Sequence, residues 1–329
     1  MDRTGSAIAA HGVHKRYRGG AEGAGLCGFD LRVEPGSVCG LLGPNGAGKT
    51  TAVRILSTLL APDAGEVRVA GYDVLRQAAQ VRRRIGLVGQ SAAVDEILTG
   101  RQNLELFGRL HHLGAAQARR RADELLERFS LPRTGRTPVG SYSGGMRRRL
   151  DLAASLIAEP AVLFLDEPTT GLDPQGRQEV WASIRGLVAT GTTVLLTTQY
   201  LEEADQLADR IAMLAHGGVV LEGTPEQVKS MVGDDRIDIV LNSDTELTWA
   251  VEAIGPLSAG QVEVDTADLR MSVPVVAKTQ ALMRIAGTLS ERGIDPVDVT
   301  LRRPTLDEVF LRLDSAGWTT DAGRSEVIA

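Results

Sequence analysis

Gly43-Pro-Asn-Gly-Ala-Gly-Lys49-Thr50-Thr51 fits the phosphate-cradling loop G-x-x-x-x-G-K-[ST] at every fixed position. The apolar run Val38-Cys-Gly-Leu-Leu42 before it reads as a buried strand. Thr50 to Leu60 after it reads as a helix that stops before Pro62. The loop therefore sits where a helix N-terminus aims unpaired backbone N–H groups at phosphate oxygens. Gly43, Gly46 and Gly48 let the chain curl around Pro44, Asn45 and Ala47 and let its backbone approach a ligand. Lys49 is one of only four lysines among 36 basic residues, so an ammonium here stands out against an arginine-rich background. A compact point charge suits a β/γ-phosphate, where arginine would present a planar fork.

The bulk numbers narrow the classes. At 329 residues the chain has room for one large α/β domain and a smaller one, and its 43% hydrophobic content is ordinary for a globular protein. A net charge of −6 argues against a general nucleic-acid binder, so no nucleic-acid partner is expected. Cys27 and Cys39 have neither the number nor the spacing for a metal site or a disulfide framework, which fits a reducing cytoplasm. The start Met1-Asp-Arg-Thr-Gly lacks an apolar core, so no secretory signal is expected. No stretch approaches the roughly 20 apolar residues of a membrane helix. Any membrane role is then expected to be borrowed from a partner chain.

Residues 7 to about 40 read as strands joined by turns, with a glycine-rich loop at Gly19–Gly25 and a tight turn at Glu34-Pro-Gly-Ser37. Gly65 to Gly71 alternates like a strand. From about 95 to 158 the pattern is helical, and Ala118, Ala122, Leu125, Leu126 and Phe129 form one apolar stripe. The triplets Arg82–Arg84 and Arg119–Arg121 read as solvated faces. Ala161–Asp166, Thr193–Thr197 and Ile211–Leu214 look like buried strands of a parallel sheet. Thr224-Pro-Glu-Gln227 is a capping box that closes this region with a short helix near Met231. We place a nucleotide-binding domain at 1–232, with a helical subdomain at about 91–158, and an accessory domain at 233–315. In the latter, strands at 237–241, 261–265, 269–274 and 297–301 alternate with a helix at 246–254 and another striped by Ala277, Ala281, Leu282, Ile285 and Leu289. That order is β-α-β-β-α-β. Thr305-Leu-Asp-Glu308 caps a last helix through Leu313, with a frayed, flexible tail at 316–329.

Two further stretches carry chemistry. The expected strand Ala161–Asp166 runs into Glu167, placing Asp166 to hold Mg²⁺ jointly with the Thr50 hydroxyl and Glu167 to polarise an attacking water. Ser141-Tyr-Ser143-Gly144-Gly145-Met146 opens a long helix and so supplies a second anion-binding terminus. One nucleotide needs one cradle; a second makes sense if it serves the nucleotide on another copy. With these motifs in this order, residues 7 to 231 resemble the ATP-binding subunits of ABC transporters.

That resemblance implies an α/β P-loop NTPase domain of the ABC type with a helical subdomain, joined here to a small α+β C-terminal domain. It implies a homodimer that sandwiches two ATP molecules with Mg²⁺ between facing subunits. Gln90 matches the loop that reaches metal and water, Gly171-Leu172-Asp173 the loop that crosses the dimer seam, and Tyr17 the aromatic that stacks on adenine. Two departures are informative: the signature reads Tyr-Ser-Gly-Gly-Met, and the switch position, histidine in most of the family, is Gln199. With the ending Arg302-Arg-Pro-Thr-Leu-Asp-Glu-Val-Phe310, these variants resemble the daunorubicin-resistance ATPase subfamily. The implied role is a peripheral ATPase on the cytoplasmic face of the membrane, driving export of a hydrophobic drug, antibiotic or lipid through an integral membrane permease. An importer ATPase and a soluble ATP-switched protein of the same fold are the alternatives. The segment between Gln90 and Ser143, including Leu98–Leu104, is where a permease is expected to dock. Leu306-Asp-Glu-Val-Phe310 is expected either to hold the assembly together or simply to pack.

Overall fold

Val38–Leu42 is buried along its whole length, and so are two strands that join it in one sheet, Val162–Asp166 and Thr193–Thr198. Continuous aliphatic runs of this kind suit inner strands of a parallel sheet, covered on both faces. The computed structural model describes residues 5–17, 25–90, 93–131, 137–230, 235–303 and 305–306. The chain divides into two units after Pro225.

The first unit runs β1 (Ile8–Arg16), β2 (Gly25–Val33), β3 (Val38–Leu42), α1 (Lys49–Leu56), β4 (Ala64–Val69), β5 (Tyr72–Asp73) and α2 (Ala78–Arg82). It continues through β6 (Ile85–Val88), α3 (Gly100–Leu110), α4 (Ala115–Arg128), α5 (Gly144–Ser155), β7 (Val162–Asp166), α6 (Pro174–Val188) and β8 (Thr193–Thr198). Then come α7 (Leu201–Leu207), β9 (Arg210–Ala215) and β10 (Gly218–Gly223). One sheet has the order β10-β9-β3-β8-β7-β6, parallel from β9 to β6, with β10 antiparallel at the edge. A second, antiparallel sheet has the order β2-β1-β4-β5. β8 lies between β3 and β7, so the loops leaving β3, β8 and β7 emerge side by side at the carboxyl end of the sheet. Open α/β sheets bind ligands there.

Ala118, Ala122, Leu125, Leu126 and Phe129 are all buried, as their spacing predicts. Arg82–Arg84, Arg119 and Arg120 are exposed, but Arg121 is half-buried and its guanidinium donates to the Leu156 carbonyl. The helix α1 ends at Leu56, four residues before its predicted end. Thr58 turns left-handed at φ 66°, its N–H donating to Ile55 O (3.0 Å) while the Leu59 N–H donates to Arg54 O (2.8 Å). That is a Schellman closure with a β-branched residue where glycine or asparagine normally sits, so nothing in the sequence marks it. A threonine in this conformation is strained by about 1–2 kcal/mol. Thr58→Asn is therefore expected to stabilise the first unit by about 1 kcal/mol, raising its unfolding midpoint by ~2–4 °C in a thermal melt. An unchanged or lowered midpoint would contradict the strain.

The second unit begins within α8 (Pro225–Ser230) and runs β11 (Asp235–Val240), α9 (Asp244–Ile254), β12 (Glu263–Asp265), β13 (Arg270–Val275), α10 (Lys278–Glu291) and β14 (Asp298–Arg302). Its sheet is antiparallel in the order β12-β13-β11-β14. Ile237, Ile239, Met271 and Val273 pack with Leu247, Ala250, Ile254, Ile285 and Leu289 into one core. Ala277 is not part of the α10 stripe: it is exposed and left-handed at φ 60°, immediately before the helix starts. Of the expected last helix only Thr305 and Leu306 are described; its remainder, the tail 316–329, most of the Gly19–Gly25 loop and Met231 lie outside the described residues.

Candidate functional site

The loop between β3 and α1 forms one wall of a cleft of about 290 Å³ lined by Tyr17, Gly25, Pro44, Asn45, Gly46, Gly48, Lys49, Thr50, Thr51, Gln90 and Glu167. Gly43 and Ala47 complete the loop behind this surface, where Ala47 is buried. The Lys49 ammonium donates to the carbonyls of Gly43 (2.6 Å) and Pro44 (3.1 Å). Burial pushes its pKa below the ordinary lysine value, while the nearby Glu167 and Asp166 charges pull it back up. The cation is thus held at the loop's inner edge among groups that keep it charged. Tyr17 stands half-open at the rim, its hydroxyl 3.2 Å from Thr51 Oγ1.

The end of β7 supplies the opposite wall. Asp166 is buried; it accepts from Thr197 Oγ1 at 2.5 Å and from Thr50 Oγ1 at 3.4 Å. Glu167, the next residue, leaves the strand in a left-handed turn at φ 50°. Its N–H donates to Thr197 O (3.0 Å) and is 3.2 Å from Thr197 Oγ1, while Thr170 Oγ1 donates to its Oε2 at 3.2 Å. A non-glycine residue in this region is uncommon, and such outliers gather at functional sites. Gln90, exposed just beyond β6, reaches the same cleft. Gln199 does not line it. It sits on an exposed bend after β8 and makes no side-chain hydrogen bond among the described residues.

A second cleft, of about 380 Å³, is lined by Ser143, Gly144, Gly145, Gly171, Leu172, Asp173, Gln175, Gly176 and Glu179. Ser143 caps α5 by accepting the Met146 N–H at 3.2 Å, and Asp173 caps α6 by accepting the Gly176 N–H at 2.8 Å. Both are strong N-cap types; α5 keeps the Gly144 and Gly145 amides outside its cap bond, whereas α6 starts at Pro174, which has no N–H. The two clefts share no lining residue. The chain therefore presents two separate clefts, each with a helix N-terminus in its wall.

Residues 26–170 match the ABC transporter family. Over 94% of this chain and 96% of its own length, the daunorubicin resistance ATP-binding protein DrrA3 of Streptomyces coeruleorubidus is 63% identical. The doxorubicin resistance ATP-binding protein DrrA of Mycobacterium tuberculosis is 47% identical over 97% of this chain and 95% of its own length. The chain belongs to the ATP-binding proteins of ABC transporters. Within them it falls in the daunorubicin-resistance group. Among solved structures, a post-hydrolysis dimer of an ATP-binding cassette bound to ADP and phosphate aligns with TM-score 0.59 and 27% identity, over 66% of this chain and 98% of its own.

As an ABC ATP-binding protein the chain binds ATP and hydrolyses it, and the first cleft, with its phosphate loop, is the part of the fold that suits this chemistry. No helix among its described residues is long and apolar enough to cross a membrane. Three side chains of this ABC cassette escaped the sequence reading. Thr197 and Thr170 hold Asp166 and Glu167 through ordinary hydroxyls that no motif marks. Arg148 lies buried in the triplet Arg147–Arg149, and the signal was its partner Asp151 three residues on, since two charges on an apolar helix face rarely enter a core unpaired.

Proposed function

We propose that two copies of this chain face head to tail and clasp two ATP molecules, each between the Lys49 cleft of one copy and the Ser143 cleft of the other. The separation of the two clefts carries this reading, since one nucleotide needs only one phosphate cradle and the second is left for the nucleotide of another copy. The closing amides would come from Gly144 and Gly145, beside the Ser143 hydroxyl. Taking such a pair from 1:99 open to 99:1 closed needs about 5.5 kcal/mol. Shared between two sites this is roughly 2.7 kcal/mol each, within reach of a few charge-assisted bonds to a γ-phosphate. ADP lacks that group, so hydrolysis releases the pair.

Within the first cleft, Lys49 and the loop amides hold the phosphates, Tyr17 offers a ring to adenine, and Glu167 takes the proton of the attacking water. The Thr50 hydroxyl and the Asp166 carboxylate, 3.4 Å apart, are hard oxygen donors that fit Mg²⁺, with the Gln90 amide in reach of the same cleft. When bound, Mg²⁺ would neutralise charge on the phosphates. Asp173 and its loop would line the seam.

The work drives export of a hydrophobic drug, antibiotic or lipid through a separate membrane permease, with this subunit on the cytoplasmic face. Names of the relatives support the cargo class. Ile97, 85% exposed, and the exposed Leu106 and Leu110 lie in the segment between Gln90 and Ser143, the apolar surface a permease would cover. Tagged chain recovered from host membranes is expected to carry a protein with several spanning helices, and deletion of this chain should sensitise the host to hydrophobic drugs. Recovery wholly in the soluble fraction with unchanged sensitivity would sink the transport reading.

A further inference from the structure

Arg148 is 8% exposed, yet its guanidinium bonds both the segment that carries Gln90 and the segment that carries Glu167 into the hydrolytic cleft. Its Nε donates to Pro168 O at 2.8 Å, Nη1 to Gly89 O at 2.7 Å, and Nη2 to both Asp166 O and Glu167 O at 3.3 Å. Nη1 also lies 3.5 Å from Asp151 Oδ2, whose other oxygen accepts the Ala93 N–H at 2.9 Å. One side chain thus gathers the carbonyl before Gln90 and three successive carbonyls around Glu167.

In an extended strand successive carbonyls point to opposite sides. Those of Asp166, Glu167 and Pro168 reach one planar group because Glu167 takes its left-handed turn. The guanidinium's five N–H donors, fixed in a fork, match this set; an ammonium offers three from a single point and cannot span it. Backbone strain of the kind seen at Glu167 persists only where surrounding bonds over-determine it. Arg148 also stands on α5, one turn beyond the Ser143–Gly145 cradle, so the two clefts share this strut.

We propose that Arg148 is a positioning residue for ATP hydrolysis, holding the turn that aims the Glu167 carboxylate at the attacking water. This rests on Glu167 being the base. Arg148 itself touches no substrate, so its loss should lower kcat and leave nucleotide affinity alone.

The experiment measures ATPase kinetics and ATP affinity of the full chain with Arg148→Lys and Arg148→Gln, alone and combined with Glu167→Gln. Alone, each folded variant should lose roughly 10- to 100-fold in kcat, with KM and ATP affinity within about twofold. In the Glu167→Gln background the same change should cost less than about twofold of the residual rate, because both act through one carboxylate. A merely structural arginine would give equal factors in both backgrounds. Equal factors, or unchanged kcat in a folded variant, would overturn the proposal. If Arg148→Gln fails to fold, Arg148→Lys, which keeps the charge beside Asp151, answers the question. Full activity in Glu167→Gln alone would instead overturn the base assignment and is read separately.

Discussion

Glu167→Gln is expected to lower turnover by roughly 10²- to 10⁴-fold while leaving ATP bound, so that Mg·ATP converts the chain to a stable dimer in size-exclusion chromatography. The substitution is nearly isosteric. Thr170 Oγ1, which donates to Oε2, can still find an amide oxygen, and the backbone bonds that fix the turn, to Thr197 and Arg148, are untouched. What is lost is the ability to accept a proton. No other carboxylate takes over: Asp166 is buried and held by two threonine hydroxyls. Gln199 cannot replace it either, since an amide donates a hydrogen bond but does not shuttle a proton. Gln199→Ala, on an exposed bend outside the cleft lining, should slow turnover only by a few fold and keep ATP affinity, consistent with about one neutral hydrogen bond. A Glu167→Gln chain that hydrolyses ATP at the parent rate would falsify the base assignment, and one that stays monomeric with Mg·ATP would overturn the clasp.

The parts of this site legible in the sequence are those where chemistry demands a residue type at a fixed spacing. Gly43 to Thr51 had to be a strand–loop–helix turn, because only that context gives the lysine and the free amides a common target, and β3 and α1 flank it as predicted. Asp166 was legible because five apolar residues ended in an acid. What stayed hidden depends on which strands become neighbours. That β8 would separate β3 from β7, and so bring Thr197 against Asp166, is a property of sheet order, which no local pattern encodes. Arg148 was hidden for a different reason. In a chain with three arginine triplets, composition favours a solvated face, and only the helix phase that also buries Leu152 and Asp151 turns one guanidinium inward. In the second unit the apolar periodicity of Ile285 and Leu289 was readable, whereas the left-handed start at Ala277 was not, since alanine carries no preference for it.

Gly48→Ala should weaken ATP binding by at least about 100-fold, and Gly46→Ala by only about 5- to 30-fold, although both glycines lie in the same loop at positive φ. The difference is space. At Gly48, with φ 112°, an added Cβ would lie 2.6 Å from Gly25 O and 2.9 Å from Leu26 Cδ2, closer than carbon atoms approach in folded proteins. The Gly25 carbonyl belongs to β2, hydrogen-bonded along β1, so it cannot retreat without dragging a strand. The first turn of α1 must move instead, and with it the amides of Lys49 to Thr51. Losing two hydrogen bonds to a charged phosphate costs about 3–6 kcal/mol, and each 1.4 kcal/mol is tenfold in affinity. At Gly46, with φ 85°, nothing lies within 4 Å of the added carbon. Only the conformational strain of about 1–2 kcal/mol remains there. Calorimetric titration of ATP into the two variants, each verified as folded by circular dichroism, separates these costs. Equal losses at both positions would mean that the crowding between Gly48 and β2 does not govern the cradle.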